Sequence, residues 1–218
     1  MTGWNALRRV WASYTDALWR ERLHVVGRLA LCPFGRLASF VPQRGLIVDL
    51  GCGHGVFANM LASPGRRIVG VEPSAGKLAV ARIARSAMGD VQFVQGDAVH
   101  NPVVGPCRVV LIVDVLYLLT YEQQEQVLRT CFERLEPGGV LLLKTMDDRP
   151  RWKAVLNRLE EWLAVWVLHI TLSRERGFAF RSLVEWAALC QAIGFETQVL
   201  RLHRGYYHPH GAVIGIKR

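Results

Sequence analysis

A glycine-rich turn with a neighbouring carboxylate is the first group of residues in this sequence that could do chemistry. Asp49 stands near the end of an apolar run, and Gly51, Cys52 and Gly53 follow in the segment Val-Asp-Leu-Gly-Cys-Gly-His-Gly. Glycines at such a turn let backbone N–H groups approach a ligand, and the N-terminus of a following helix adds partial positive charge that favours a carboxylate. The pattern Gly-x-Gly-x-Gly departs from the dinucleotide fingerprint Gly-x-Gly-x-x-Gly, which disfavours NAD without excluding it.

Three more acids follow the next three apolar runs of the chain. A carboxylate at the position of Glu72 can accept both hydroxyls of a ribose, and Asp97 is placed to accept from an adenine amino group. Alone, a glycine in these segments would indicate a tight turn and an acid would indicate a helix cap. Four acids at four successive strand ends favour ligand binding. The three further acids and their neighbours are Glu72 with Pro73, Asp97 with Ala98, and Asp114 with Val113.

Strands alternate with helices through the middle of the chain, as the positions of these residues require. Apolar runs separated by helical patterns predict a parallel sheet covered by helices on both faces. The last two predicted strands are joined by a short turn and are therefore antiparallel neighbours. The predicted fold class is α/β, with a Rossmann-like parallel sheet and a terminal antiparallel strand. The predicted strands span residues 46–50, 67–71, 91–95, 108–113, 139–145, 195–202 and 212–217, and the helices 54–61, 74–88, 121–135 and 182–192.

Charge and tryptophan content divide the chain into a plain centre and basic, aromatic additions. The chain holds 27 Lys and Arg against 18 Asp and Glu, a formal charge of +9, and none of its seven tryptophans lies between residues 45 and 148. Apolar residues recur at helical spacing from 152 to 170, on a face wide enough to be buried on both sides or to roof an apolar pocket. We predict an N-terminal helical cap (1–44), an α/β cofactor-binding core (45–148), an inserted lid helix (149–180) and the end of the core with the terminal strand pair (181–218).

The composition is that of a globular protein. With 51% hydrophobic and 21% charged residues and no low-complexity run, disorder and collagen-like repeats are excluded. The apolar runs are too short for a transmembrane helix, and the N-terminus lacks the pattern of a secretory signal. We expect a cytoplasmic protein, with peripheral contact to the inner face of the membrane left open. The five cysteines form no Cys-x-x-Cys pair and are interpreted as reduced thiols.

Together, the glycine turn and the four acids, in this order and spacing, resemble the class I S-adenosylmethionine-dependent methyltransferases. The resemblance covers residues 45–145 and the terminal strand pair. It implies S-adenosylmethionine as the cofactor. The positions it implies for that cofactor are Asp49, Gly51, Cys52 and Gly53 around the methionine part, Glu72 with Pro73 at the ribose, Asp97 and Ala98 at the adenine, and Val113 and Asp114 on the sulfonium side.

The loops that follow the strands would form the acceptor pocket, because ligands bind at the carboxyl edge of a parallel sheet. The turn 203–210 emerges at that edge, and its His208 and His210 are candidate bases, since the intrinsic pKa of histidine suits proton transfer near neutral pH. Tyr206, Tyr207, Asp147 and Asp148 are second choices, and an ordinary surface turn is the alternative interpretation. The two histidines lack a third ligand, so no metal site is predicted.

The segments near residues 148–158 and the Tyr-His-Pro-His turn resemble, more specifically, a bacterial subgroup associated with aryl polyene and fatty-acid-type biosynthesis. That resemblance implies O-methylation of a hydrophobic small molecule, or of an acyl or aryl chain on an acidic acyl carrier protein. Tryptophan-rich helices suit such a chain, and an arginine-rich surface suits an acidic partner or an anionic lipid surface.

Two other functions compete with this hypothesis. An RNA or protein methyltransferase is the main alternative, since a sequence pI near 9.8 is typical of RNA binders. Nucleic acid is the less favoured partner, because the chain shows no separate RNA-binding module. A binding module without catalysis is disfavoured by the intact glycine turn and by the acids at Glu72 and Asp97.

Overall fold

A seven-stranded sheet forms the centre of the computed structural model, which describes residues 11–15, 17–84, 89–102, 105–147 and 179–218. The strand order is β3-β2-β1-β4-β5-β7-β6, and β7 runs antiparallel to the other six strands. The crossovers from β1 to β2 and from β4 to β5 run through helices, as parallel pairing requires. The strands are β1 (Gly45–Leu50), β2 (Arg66–Glu72), β3 (Asp90–Gln95), β4 (Cys107–Val113), β5 (Leu135–Met146), β6 (Phe195–Arg201) and β7 (His210–Lys217).

Two of the described helices begin with a capping box. Thr120 and Ser182 each form a capping box with the residue three positions later, Gln123 and Glu185, which satisfies two backbone N–H groups at each helix start. The helices are α1 (Trp19–Leu31), α2 (Phe34–Ala38), α3 (Val56–Leu61), α4 (Ala75–Ile83), α5 (Tyr121–Arg134) and α6 (Leu183–Ile193), with a 3-10 turn at Leu116–Leu118.

The sheet separates two apolar layers. Because side chains alternate along a strand, Ile47 and Val109 face the layer formed with α1 to α4, whereas Val48 and Val110 face the layer formed with α5 and α6. Trp186 of α6 is the largest fully buried side chain of the second layer. Helices cover both faces of the sheet, so the edges formed by the strand termini are the parts left accessible. The carboxyl ends of the parallel strands meet at one of these edges.

This architecture confirms the predicted fold class, including the antiparallel pairing of the last two strands. One boundary was wrong in a way that bears on the site: His210 was expected in the turn, but it opens β7, where it pairs with Met146 of β5. The predicted lid helix lies outside the described residues, apart from positions 179 and 180. Within the described ranges, no helix has the length and apolar character needed to cross a bilayer.

Candidate functional site

The glycine turn joins β1 to α3 at the carboxyl edge of the sheet. Gly51 has φ +74°, and a Cβ on it would lie 2.3 Å from a methyl group of Val115, so the turn tolerates no side chain there. Gly53 has φ +56°, and a Cβ on it would meet no atom within 4 Å. The N–H groups of Gly51 and Cys52 both donate to the carbonyl of Val71, at 2.8 and 3.0 Å. The turn is thus anchored to β2 on one side and open on the other.

Glu72, at the end of β2, is held by backbone donors on both carboxylate oxygens. Gly53 N–H donates to Oε2 at 3.1 Å, and Ser74 N–H donates to Oε1 at 3.1 Å. The residue is buried, with Lys77 Nζ 4.0 Å from Oε1. The orientation of this carboxylate is therefore fixed by the same turn that carries the glycines, while Pro73 beside it is exposed.

Asp49 is a buried carboxylate beside Glu72. Among the described residues, no N–H or O–H group donates a hydrogen bond to it. Burial raises the pKa of Asp49 to about 7, opposed by the Arg28 guanidinium and reinforced by the negative charge of Glu72. A positively charged group bound beside Asp49 would be the partner that this carboxylate lacks.

Asp114 follows β4 and lies in a buried ion-paired cluster. Lys144 Nζ contacts its two carboxylate oxygens at 2.6 and 2.7 Å, and Arg28 donates to it at 2.8 Å. Burial alone would raise the pKa of Asp114, but the Lys144 and Arg28 charges lower it to about 2. Its backbone has φ +59°, a left-handed conformation that is uncommon for a residue other than glycine. The triad joins β4, β5 and α1 at the carboxyl edge.

Asp97 has partners within its own turn. Its Oδ1 accepts the N–H groups of Val99 and His100 at 2.8 and 2.7 Å, and its Oδ2 lies 3.1 Å from the His100 ring. Burial would raise the pKa of Asp97, but these His100 and Val99 contacts lower it. The carboxylate therefore caps a turn after β3. Its predicted contact with adenine stays a prediction, as does that of the buried Ala98 beside it.

The N-terminal segment packs onto the back of the glycine turn. Tyr14 is fully buried and donates its hydroxyl hydrogen to the carbonyl of His54 at 2.6 Å, while the Asn59 amide donates to the Tyr14 oxygen at 3.3 Å. His54 Nε2 contacts the Glu21 carboxylate of α1. Burial lowers the pKa of His54, against the pull of the Glu21 carboxylate. The turn is held from β2 and from α1.

The loop after β4 is tied to residues 179–181 through one buried amide. Gln124 donates to the carbonyls of Leu116, Leu119 and Ala179 at 3.1, 3.2 and 2.7 Å. Nearby, the rings of Tyr117 and Phe180 stack with centroids 5.5 Å apart. These aromatic side chains stand at the carboxyl edge, where the acceptor pocket is predicted.

The candidate bases of the 203–210 turn differ in environment. His210 is buried, and its Nε2 donates to the carbonyl of Leu31 in α1, which leaves Nδ1 as a buried nitrogen without a partner among the described residues. Burial and the nearby Lys144 charge lower the pKa of His210 to about 3. The His208 ring lies 5.8 Å from that of His210 and 5.0 Å from that of the half-exposed Tyr207.

Asp147, another second choice, is buried at the end of β5, and Asp148 lies outside the described residues. Its N–H donates to the carbonyl of Pro209, and its carboxylate lies 3.3 Å from Arg201 Nε of β6. The structure therefore places Asp147 against the histidine turn. These assignments of catalytic residues remain predictions.

Sequence reasoning missed three residues that organise this edge. Lys144 carried a usable signal, because a lone lysine within the run Leu-Leu-Leu-Lys-Thr must be paired if the strand is buried. Arg28 and Gln124 carried none, since their partners are distant in the sequence.

Comparisons with known proteins agree with this geometry. A family model described as a methyltransferase domain matches residues 47–139. A ubiquinone biosynthesis O-methyltransferase of Azorhizobium caulinodans is 31% identical over 186 residues, which cover 82% of this chain and 70% of that protein. A 2-phytyl-1,4-naphtoquinone methyltransferase of Thermosynechococcus vestitus is 30% identical, over 72% of this chain and 74% of that protein.

A solved structure shows the same fold. The Thermotoga maritima protein described as a SAM-dependent methyltransferase, possible histamine N-methyltransferase, has a TM-score of 0.66 and 21% identity, over 96% of this chain and 100% of that one. Other curated relatives are matched over only 46 to 60% of their own length. Three observations indicate the same family: the sheet order, the anchored glycine turn and the two relatives at 30% identity or above. This chain belongs to the class I S-adenosylmethionine-dependent methyltransferases.

Proposed function

We propose that the protein transfers a methyl group from S-adenosylmethionine to an oxygen atom of a hydrophobic small-molecule acceptor. The observation that carries the proposal is the pair of buried carboxylates, Asp49 and Glu72, at the open side of the glycine turn. The relatives named for ubiquinone and phytyl-naphthoquinone pathways support an acceptor of hydrophobic character.

The two carboxylates fit the chemistry of this cofactor. Each oxygen of Glu72 accepts one backbone N–H and keeps further acceptor capacity, so the carboxylate can also accept the two hydroxyls of a ribose. Asp49 has no donor of its own within the described part of the chain, and its burial makes an added positive charge favourable. The ammonium group of a methionine moiety would supply both a donor and a charge.

The protein's own contribution to methyl transfer is alignment and exclusion of water. When bound, S-adenosylmethionine supplies a methyl group that its sulfonium already activates. The chain must hold an acceptor oxygen in line with that group in a site closed to water. The stacked Tyr117 and Phe180 rings support an aromatic or polyene acceptor at this edge, in free form or as a chain on an acidic carrier protein.

A base is needed only where the acceptor hydroxyl enters protonated. We assign that role to His208, because His210 has already committed its Nε2–H to Leu31 and has a pKa near 3. His210 then acts as a positioning residue that ties β7 to α1. Replacing His208 by Ala should lower turnover by about 100-fold or more while leaving the cofactor dissociation constant within about twofold. Unchanged turnover would remove His208 from the mechanism.

The proposal is tested by following a labelled methyl group. The purified protein is incubated with methyl-labelled S-adenosylmethionine and an extract of its host, and the label is divided among solvent-extractable material, protein and nucleic acid. Label in the solvent phase or on a small acidic carrier protein is expected. Glu72→Gln should reduce the incorporation, whereas Glu125→Gln, which changes a half-exposed residue of α5, should not. Label confined to RNA would refute the hydrophobic acceptor and favour the competing RNA methyltransferase.

A further inference from the structure

Helix α1 carries an exposed apolar stripe on the side opposite its buried residue Val25. Trp19, Leu23 and Val26 are 69, 65 and 36% exposed, and Ala30 extends their line at helical spacing. Leu18, directly before the helix, is 75% exposed. We call the five residues Leu18, Trp19, Leu23, Val26 and Ala30 the outer stripe. It is the largest group of exposed apolar side chains on a single helix within the described residues.

Positive charge borders the outer stripe on both sides. On a helix, Arg20 and Arg22 fall on opposite flanks of the line through Trp19 and Leu23. The Arg20 guanidinium lies 5.3 Å from the Trp19 ring centroid, and the Arg22 guanidinium lies 4.9 Å from that of Trp11. The acid of α1, Glu21, points the other way and contacts His54.

The opposite side of α1 accounts for the orientation of this helix. Val25 is fully buried, Arg28 reaches Asp114 at the carboxyl edge, and the carbonyl of Leu31 accepts from His210. The inner side of α1 is therefore committed to the site, whereas the outer stripe is exposed within the described part of the chain. The outer stripe and the contacts to Asp114 and His210 therefore belong to the same helix.

We propose that the outer stripe docks on an anionic lipid bilayer, with its apolar side chains in the interface and Arg20 and Arg22 at the headgroups. Tryptophan and leucine on one face with flanking arginines are the pattern of helices that lie in a membrane interface. A second copy of the chain fits the charge less well, because pairing two outer stripes would bring arginines together without a facing acid. The docking would bring the rim of the site to the source of a hydrophobic acceptor, but it does not depend on that acceptor being the substrate.

Vesicle sedimentation tests the docking without cofactor or acceptor. The full-length protein is mixed with vesicles of phosphatidylcholine containing phosphatidylglycerol, and with vesicles of phosphatidylcholine alone. Binding is expected to the anionic vesicles, to weaken with added salt, and to fall at least about tenfold in Trp19→Ser/Leu23→Ser. The matched control Ile83→Ser/Val184→Ser removes two apolar side chains, 54 and 66% exposed, from α4 and α6 and should bind like the original protein.

Several results would overturn the proposal. One is an absence of binding to anionic vesicles, and another is an equal loss of vesicle binding in the two double variants. Light scattering that shows a dimer converted to monomer by Trp19→Ser/Leu23→Ser, with no vesicle binding, would assign the outer stripe to a second copy instead. Because all four positions are exposed, circular dichroism should show both double variants folded. Methyl transfer to a soluble acceptor is measured separately, so failure of the docking leaves the proposed function untouched.

Discussion

Replacing Lys144 by Met should destabilise the protein through a single unpaired charge. Lys144 is 1% exposed, and its Nζ lies 2.6 and 2.7 Å from the two oxygens of Asp114. Methionine preserves most of the side-chain volume but leaves the buried Asp114 carboxylate with Arg28 as its remaining cation. Breaking a buried ion pair by removing one partner costs about 3 to 5 kcal/mol, and the retained arginine places the expected loss near 3 kcal/mol.

The loss can be read from thermal or urea unfolding. For a chain of this size, about 3 kcal/mol corresponds to a decrease in Tm of about 6 to 12 °C. The double variant Lys144→Met/Asp114→Asn removes both charges and should be more stable than Lys144→Met alone. Asparagine is a suitable replacement because it tolerates the left-handed backbone at position 114. A loss below about 1 kcal/mol, or a double variant no more stable than the single, would refute the reasoning.

Acid unfolding gives an independent check of the same triad. The pKa of Asp114 is lowered to about 2 because Lys144 and Arg28 outweigh the effect of burial. A carboxyl group with a lowered folded-state pKa stabilises the protein above its unfolded pKa of about 4, and that contribution is lost as the pH falls towards 2. In Lys144→Met the pKa of Asp114 is lowered less. Stability should therefore fall less steeply between pH 4 and pH 2 in this variant than in the original protein.

Three further predictions concern the glycine turn and its supports. Gly51→Ala should unfold at lower temperature and bind S-adenosylmethionine weakly, because its Cβ meets Val115 at 2.3 Å and its φ is +74°; normal calorimetric binding would contradict this. In the original protein, the affinity for S-adenosylmethionine should rise between pH 6 and pH 8, because ionisation of Asp49, with a pKa of about 7, favours a cationic ligand. Asp49→Asn should abolish this rise, and a variant whose affinity still rises with pH would contradict the assignment. Tyr14→Phe should cost about 1 to 2 kcal/mol in urea unfolding by leaving the His54 carbonyl unpaired; a neutral effect would mean that the carbonyl finds another donor.

The sequence was sufficient for the core of the sheet because its signals are local. The runs that became β1, β2 and β4 are apolar and end at glycine or an acid, so both their identity and the edge they share could be predicted. The position of β7 between β5 and β6 depends on pairings between distant segments and has no comparable local signal. His210 was misplaced for that reason: its Tyr-His-Pro-His context indicates a turn, but pairing with β5 extends the strand to include it.

The candidate site divides in the same way. The sequence located Asp49 and Glu72 because each stands at a strand end, where the topology alone determines which edge it reaches. It did not reveal that Asp114 is neutralised by Lys144 and Arg28, which are 30 and 86 positions away along the chain. Ion pairs between distant residues depend on how helices pack on the sheet, and a single sequence carries no record of that packing.

The insertion of β7 between β5 and β6 also constrains the order in which the sheet can assemble. Strand β6 has β7 as its neighbour, yet it precedes β7 in the sequence. During synthesis, β1 to β5 can pair while β6 has no partner, and the edge of β5 stays open until β7 arrives. An open strand edge is a template for pairing with other chains. The period between synthesis of β5 and docking of β7 is therefore when a nascent chain of this topology is most exposed to misassembly.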